Sequence, residues 1–309
     1  MKALRRLSVT AVVVTYLQLA FGGIVRISGS GMGCGDHWPK CNGSWIPPFT
    51  NFTVMIEWTH RLMALLVVLS VASLVMLSRR EARTGGADAR RVSDAAALGL
   101  GLVLAVAALG MVTVKLGNTA LATAGHWTLA MTLMGVLVAA AVRSGALGGE
   151  SARAQGGTVR AVRSLGAGAA LAFVVVVLGG LVAKSPGAAA ACPGFPFCGE
   201  TPAGIGSGAV YLQMTHRILA FLLFFHAIAI ATAIGRRLGE SVVTRQAAAL
   251  AAGLVVVQVG FGAALIMSDM QVVLRGAHQA TGVAVWMVMF AAAYLARTAD
   301  AGRGAADGG

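Results

Sequence analysis

The sequence predicts an all-α polytopic membrane protein: eight transmembrane helices arranged as two pseudo-symmetric four-helix bundles. Three observations predict it. Of 309 residues, 57% are hydrophobic and only 11% charged, and mean hydropathy is +0.80, whereas a soluble domain is about 25% charged. The apolar residues fall into eight runs, each near the roughly 20 residues a bilayer crossing needs. The second half of the chain repeats the first. The net charge of +13 raises the question of nucleic acid. The basic residues, however, lie between apolar runs and not on one soluble face, so no nucleic-acid partner is expected. Membrane lipid is.

The predicted spans are residues 8–27, 54–77, 95–115, 121–142, 165–184, 209–234, 247–267 and 272–296. The first follows Lys2, Arg5 and Arg6 like a signal peptide. No small-residue cleavage site precedes Gly22-Gly23, so it reads as a retained helix. Gly and Ala are frequent inside the runs, which lets helices pack closely in lipid. The N-terminus, loops 78–94, 143–164 and 235–246, and the C-terminal end hold 17 of the 24 Lys and Arg. By the positive-inside rule both termini are expected in the cytoplasm of a cell-membrane protein. Loops 28–53 and 185–208 then lie outside. The tail 297–309, rich in Arg, Asp, Gly and Ala, reads as a structureless cytoplasmic segment.

Two domains follow from the repeat, 1–150 and 151–309, each with four spans. Gly22-Gly23-Ile24-Val25 matches Gly179-Gly180-Leu181-Val182 at an offset of 157. Cys34 and Cys41 match Cys192 and Cys198, and Glu57-Trp58-Thr59-His60-Arg61 matches Gln213-Met214-Thr215-His216-Arg217. Gly125-His126 matches Ala277-His278. With four spans per unit the repeat is parallel, not inverted.

His60, His126, His216 and His278 each fall one to two turns inside an even-numbered span, which places them at one depth, two per bundle. Ionisable residues inside a membrane are functional candidates. Two histidines on facing helices of a bundle suit axial ligation of a haem. Zinc is the chemical rival, but two His per bundle leave its four-ligand site underfilled. His226 has no counterpart in the first half and reads as structural; His37 reads as a loop residue.

Glu57 lies three residues before His60 and so shares its helix face. Its counterpart, Gln213, cannot ionise. The halves therefore have unequal jobs, with chemistry in the first and a held cofactor or electron transfer in the second. Two roles stand open for Glu57: a base or charge stabiliser in the reaction, or a partner for Arg61. Arg26, Arg61, Arg217 and Arg275 sit near the outer span ends, where guanidinium groups either bind carboxylates or snorkel to headgroups. The pairs Cys34–Cys41 and Cys192–Cys198 read as local disulfides on the oxidising side. They are either a brace or, for the first pair, a redox-active exchange site.

Taken together, these residues resemble the haem A synthase family. The motifs are Gly22-Gly23-Ile24-Val25-Arg26, Ser28-Gly29-Ser30-Gly31-Met32-Gly33-Cys34, Trp38-Pro39-x-Cys41, Glu57-x-x-His60-Arg61, Gly125-His126, Thr215-His216-Arg217 and His278-Gln279. The resemblance covers about residues 8–296. The run Gly35-Asp36-His37-Trp38 stands where the family commonly has a Pro-Asp-Trp type run. The resemblance implies oxidation of the C8 methyl of haem O to a formyl group, giving haem A for terminal oxidases. It implies a haem b cofactor on His216 and His278, a substrate haem O with His60 and His126 near its iron, and Glu57 as the essential glutamate. Arg217 and Arg275 would meet haem b propionates, and Arg26 and Arg61 the substrate haem. A haem O synthase would act upstream and a haem-copper oxidase downstream; a homo-oligomer is compatible. Alternatives are a di-haem b electron-transfer protein or a haem chaperone or transporter.

Overall fold

A computed structural model describes residues 2–84, 87–236 and 239–306, without the side chains of residue 87 or of 302–306. Among them it contains nine α-helices and no strand: α1 (Lys2–Ile27), α2 (Phe52–Arg83), α3 (Ala87–Lys115), α4 (Ala120–Arg143), α5 (Gly149–Gln155), α6 (Val159–Lys184), α7 (Ser207–Gly235), α8 (Val242–Met267) and α9 (Val272–Ala306). All except α5 are long and apolar enough to cross a membrane, and each contains one predicted span.

Helix starts follow capping chemistry. Asn51 accepts from the Thr53 amide before α2, Thr158 from the Ala161 amide before α6, and Ser241 from the Thr244 amide before α8. Each satisfies a first-turn N–H that has no partner within the helix.

The helices extend past the apolar runs. The charged segment Arg79-Arg80-Glu81 continues α2, because a helix leaving the bilayer keeps its internal hydrogen bonds. The largest departure is at the C-terminus. The segment expected to be structureless from 297 continues α9 to Ala306; residues 307–309 lie outside the described ones. The reason is α5, a short helix that the sequence pattern did not show. It packs on the end of α9, and Ala299 is fully buried with Val142, Ala152 and Leu295.

In the first half α1, α2, α3 and α4 contact in sequence and α1 closes on α4; in the second, α6 to α9 contact in sequence and α6 closes on α9. The halves meet through α1 and α4 on one side and α6 and α9 on the other. Helix α4 is accordingly the most enclosed, with Met131, Met134, Leu137 and Val138 fully buried. Leu17, Leu65, Leu69, Leu104, Leu222, Phe225 and Leu250 are exposed, as lipid-facing side chains should be.

Since lipid is as apolar as leucine, hydrophobicity alone does not dock one half on the other. Polar contacts to main-chain carbonyls cross that junction. Trp127 donates to Val176 (3.3 Å), Trp286 to Met131 (3.1 Å) and Tyr16 to Ala280 (3.3 Å). Gly180 leaves room for the Trp127 indole and Gly135 for that of Trp286; a Cβ there would approach them to 2.9 and 3.3 Å.

Tyr16→Phe keeps the ring but deletes the hydroxyl that bonds Ala280 O. It should lower stability by about 1 kcal/mol, read as a lower unfolding midpoint in detergent; an unchanged midpoint would remove this bond from the junction.

At the other end of α1, Arg5 pairs with Glu150 of α5 at 2.7 Å. The Arg5 hydrogen bond holds the Glu150 carboxyl below its ordinary range. A depressed acid contributes stability above its unfolded-state range and loses it as pH falls through its folded value. Protection of the α5 amides, taken relative to intrinsic exchange at each pH, should therefore fall only as pH drops below the usual carboxylate range. Protection that stays constant on acidification would contradict the contact.

Candidate functional site

The four histidines predicted at one depth meet their neighbouring helices at matching heights. His60 packs on Gly22 of α1, His126 on Gly110 of α3, His216 on Gly179 of α6 and His278 on Gly262 of α8. Each of these glycines stands five residues before the last residue of its helix: Ile27, Lys115, Lys184 and Met267. At 1.5 Å per residue all four contacts lie about 7.5 Å from the C-terminal ends of their helices, two of which, α1 and α6, lead into the cysteine loops. A Cβ on these glycines would approach ring Cε1 to 3.3, 3.1, 2.9 and 3.4 Å respectively, so the absent side chain is what lets each ring lie flush against the helix.

The rings also pair. His60 and His126 are within electrostatic reach of each other, as are His278 and His216. Main-chain carbonyls orient two of them: His126 Nδ1 bonds Val106 O and His216 Nδ1 bonds Val175 O, both at 3.1 Å. A carbonyl only accepts, so these Nδ1 atoms carry the proton and Nε2 keeps its lone pair. Among the described residues no group of three His, Cys, Asp or Glu is placed to hold a metal ion. The donor set is thus two imidazoles per half, which suits a planar iron macrocycle and not a tetrahedral zinc site. His226, at 3.1 Å from Ser164 O, ties α7 to α6, and His37 lies exposed in the first loop.

Glu57 is 4% exposed and both its oxygens are engaged. Oε2 accepts the Cys34 amide at 2.8 Å and Oε1 the Arg61 guanidinium at 2.5 Å. Gln213 is equally buried but makes one bond, donating to Ala189 O at 3.1 Å. The first half thus presents an ion pair where the second has a neutral amide, on the helix face that carries His60.

The four arginines near the outer span ends differ in what they touch. Arg61 donates to the carbonyls of His37 and Lys40, both at 2.9 Å. Arg217, 8% exposed, donates to Gly194 and Cys192 carbonyls, both at 2.5 Å, and to Phe197 at 3.2 Å. Both clamp disulfide loops, Cys34–Cys41 and Cys192–Cys198, which are bonded. Arg26 bonds Gln279 Oε1 at 2.9 Å across the junction. Arg275 lies near enough to repel it. Among the described residues neither has an acid partner. A cleft of about 330 Å³ opens beside them between α1, α2 and α9, lined by Ile24, Phe52, Ile56 and Val273.

Two residues touching the histidines were not singled out from the sequence, Gln18 and Gln258. The amide nitrogen of Gln18 lies 3.1 Å from His60 Nδ1, and that of Gln258 3.2 Å from His278 Nδ1. The available signal was an amide four residues before a glycine inside an otherwise apolar run.

These features define a polytopic membrane protein with two histidine pairs embedded near one face, each under a disulfide-closed loop. The cytochrome oxidase assembly protein family, COX15-CtaA, matches residues 5–290, and the chain belongs to it. It is 29% identical to the heme A synthase of Symbiobacterium thermophilum over 302 residues, 96% of each chain. It is 29% identical to the heme A synthase of Bacillus pumilus over 248 residues, 73% of this chain and 75% of that one. A 60-residue stretch is 48% identical to part of the protoheme IX farnesyltransferase of Thermus thermophilus, 19% of this chain and 10% of that protein.

Lysine cannot reproduce the planar fork of Arg217. Arg217→Lys should leave loop carbonyls unpaired, costing about 1–3 kcal/mol, and should speed reduction of Cys192–Cys198 by a mild thiol. Reduction at the unaltered rate would contradict the clamp.

Proposed function

We propose that this chain is a haem A synthase that oxidises the C8 methyl of substrate haem O to a formyl group. The observation that carries the reading is the four-fold histidine–glycine contact: two imidazole pairs, one per half, at one height. Haem b fits the second pair, His216 and His278, and would supply one-electron redox chemistry. His60 and His126 are the proposed ligands of the substrate iron. The relatives named heme A synthase and the oxidase-assembly family support the same reaction.

The two halves do different work. Glu57 brings a fixed negative charge to the face of α2 that carries His60, where it can stabilise positive charge developing on the substrate or orient water. Its bonds to Arg61 and the Cys34 amide keep it in place. Gln213 brings no charge, which suits a half that holds a resident cofactor. Arg26 and Arg275, without acid partners among the described residues, are the proposed contacts for haem propionates; Arg61 and Arg217 serve the substrate and cofactor halves by holding the loops over them. The apolar cleft beside Arg26 suits the isoprenoid chain of haem O. The match to a protoheme farnesyltransferase supports an upstream haem O synthase partner, and the family name supports a downstream haem-copper oxidase. Both termini are assigned to the cytoplasm and the histidine pairs to the extracytoplasmic side of the cell membrane.

Cells expressing the chain in place of their own haem A synthase should contain haem A on pigment extraction, and cells lacking it should accumulate haem O. Glu57→Gln, the residue type that the fold carries at position 213, should retain bound haem b while formyl product falls at least 100-fold. Undiminished haem A from that variant would remove Glu57 from the reaction.

A further inference from the structure

The two halves touch at two places that match in the repeat. At one, Trp127 of α4 lies on Gly180 of α6; at the other, Gln279 of α9 lies on Gly23 of α1. Gly23 and Gly180 are 157 residues apart, and Trp127 and Gln279 are 152 apart. Each crossing side chain directly follows a histidine, His126 or His278. Each glycine directly follows the one that meets His216 or His60. Both crossings therefore stand between the histidine sites of opposite halves.

Their chemistry differs. The Gln279 crossing carries Arg26 and Arg275; the matching positions at the Trp127 crossing are Ala183 and Thr123, which carry no charge. Arg26 donates to Gln279 Oε1 at 2.9 Å, which ties its guanidinium to the junction. Arg275 stands one turn before Gln279 on the same face of α9, and so beside Arg26, near enough to repel it. Arg275 also lies in the first turn of α9, the positive end of that helix, where a cation is disfavoured. Among the described residues no acid pairs with either arginine. Two guanidinium groups in that setting, one from each half, favour an anion shared between them. The adjoining cleft is lined by Ile24, Phe52, Ile56 and Val273, so the corner fits an anion carried on an apolar body.

We propose that Arg26 and Arg275 form one carboxylate site that spans the junction, so that a propionate of the macrocycle bound in the first half is gripped by a guanidinium from each half. The two arginines are then not separate contacts for two haems. The substrate is fixed by the cofactor half as well as by its own. The grip runs one way, because the Trp127 crossing offers no cation in return. The inference rests on the reading of the first half as a haem site proposed above.

The test uses the purified full chain with its resident haem b, titrated by difference absorption with zinc protoporphyrin, a redox-silent stand-in for the substrate. The diacid should bind about 10-fold more tightly than its dimethyl ester. Arg26→Gln and Arg275→Gln should each remove most of that preference. The double variant should lose no more than either single one, as groups that share one partner do. Arg26→Lys and Arg275→Lys keep the charge and should weaken the preference without abolishing it; they carry the test if a glutamine variant loses its haem b spectrum. Losses that add, or a preference indifferent to Arg275, would mean separate contacts and overturn the shared site. A preference abolished by added phosphatidylglycerol would give the arginines to a lipid phosphate and overturn it as well. Absent binding, or binding that survives replacement of both His60 and His126 by alanine, would overturn the haem reading of the first half, and the shared site with it.

Discussion

An imidazole inside a bilayer can be held only by what the adjacent helix offers. A helix in lipid offers little, because its carbonyls and amides are spent on one another. The recurring solution in this protein is a glycine. Removing Cβ at Gly22, Gly110, Gly179 and Gly262 lets the ring approach the helix surface. At that distance a main-chain carbonyl one turn earlier, or a glutamine in its place, reaches the ring nitrogens. Placement of the rings relative to each other, and hence any metal chemistry between them, depends on those four contacts. The halves can diverge in nearly everything else without losing the paired geometry.

The loops at that end obey the same constraint in a different form. A disulfide closes a small ring of chain, but its inward carbonyls still need donors. Arg61 and Arg217 supply those donors from the third turn of α2 and α7, one guanidinium per loop. Because each arginine follows its histidine directly, the loop is tied to the helix at the level of the ligand. In the first half Glu57 completes the arrangement by accepting the Cys34 amide. The carboxylate is therefore part of the loop support and also the acidic charge nearest His60 along the helix. A rigid, ion-paired acid is a better electrostatic device than a mobile one, since it needs no reorganisation as charge develops.

Much of this was legible in the sequence. Spans were readable because length and apolarity decide them, and the histidine pairs because ionisable residues stand out against such a background. Burial within the bundle was not readable. Helices that are apolar on every side carry no periodic signal of which side faces protein, so the enclosure of α4 and the junction formed by Trp127, Trp286 and Tyr16 emerged only from packing. The helix α5 was hidden for the opposite reason: Gly149–Gln155 is short and polar, and its helix depends on contact with α8 and α9. The four arginines looked alike because position along a span does not say which way a long side chain turns.

The internal repeat bears most directly on function where it fails. Duplication alone would make each pair of corresponding histidines equivalent. Two departures prevent that. Glu57 against Gln213 makes the halves unequal in charge. Gln18 against Val175, with Val106 against Gln258, gives the two histidines of each half different neighbours: glutamine side chains meet His60 and His278, whereas His126 and His216 meet only main-chain carbonyls at those positions. The first departure is what the proposed division into a reacting half and a holding half requires. Each departure changes only one or two side chains on a scaffold whose glycine contacts stay the same.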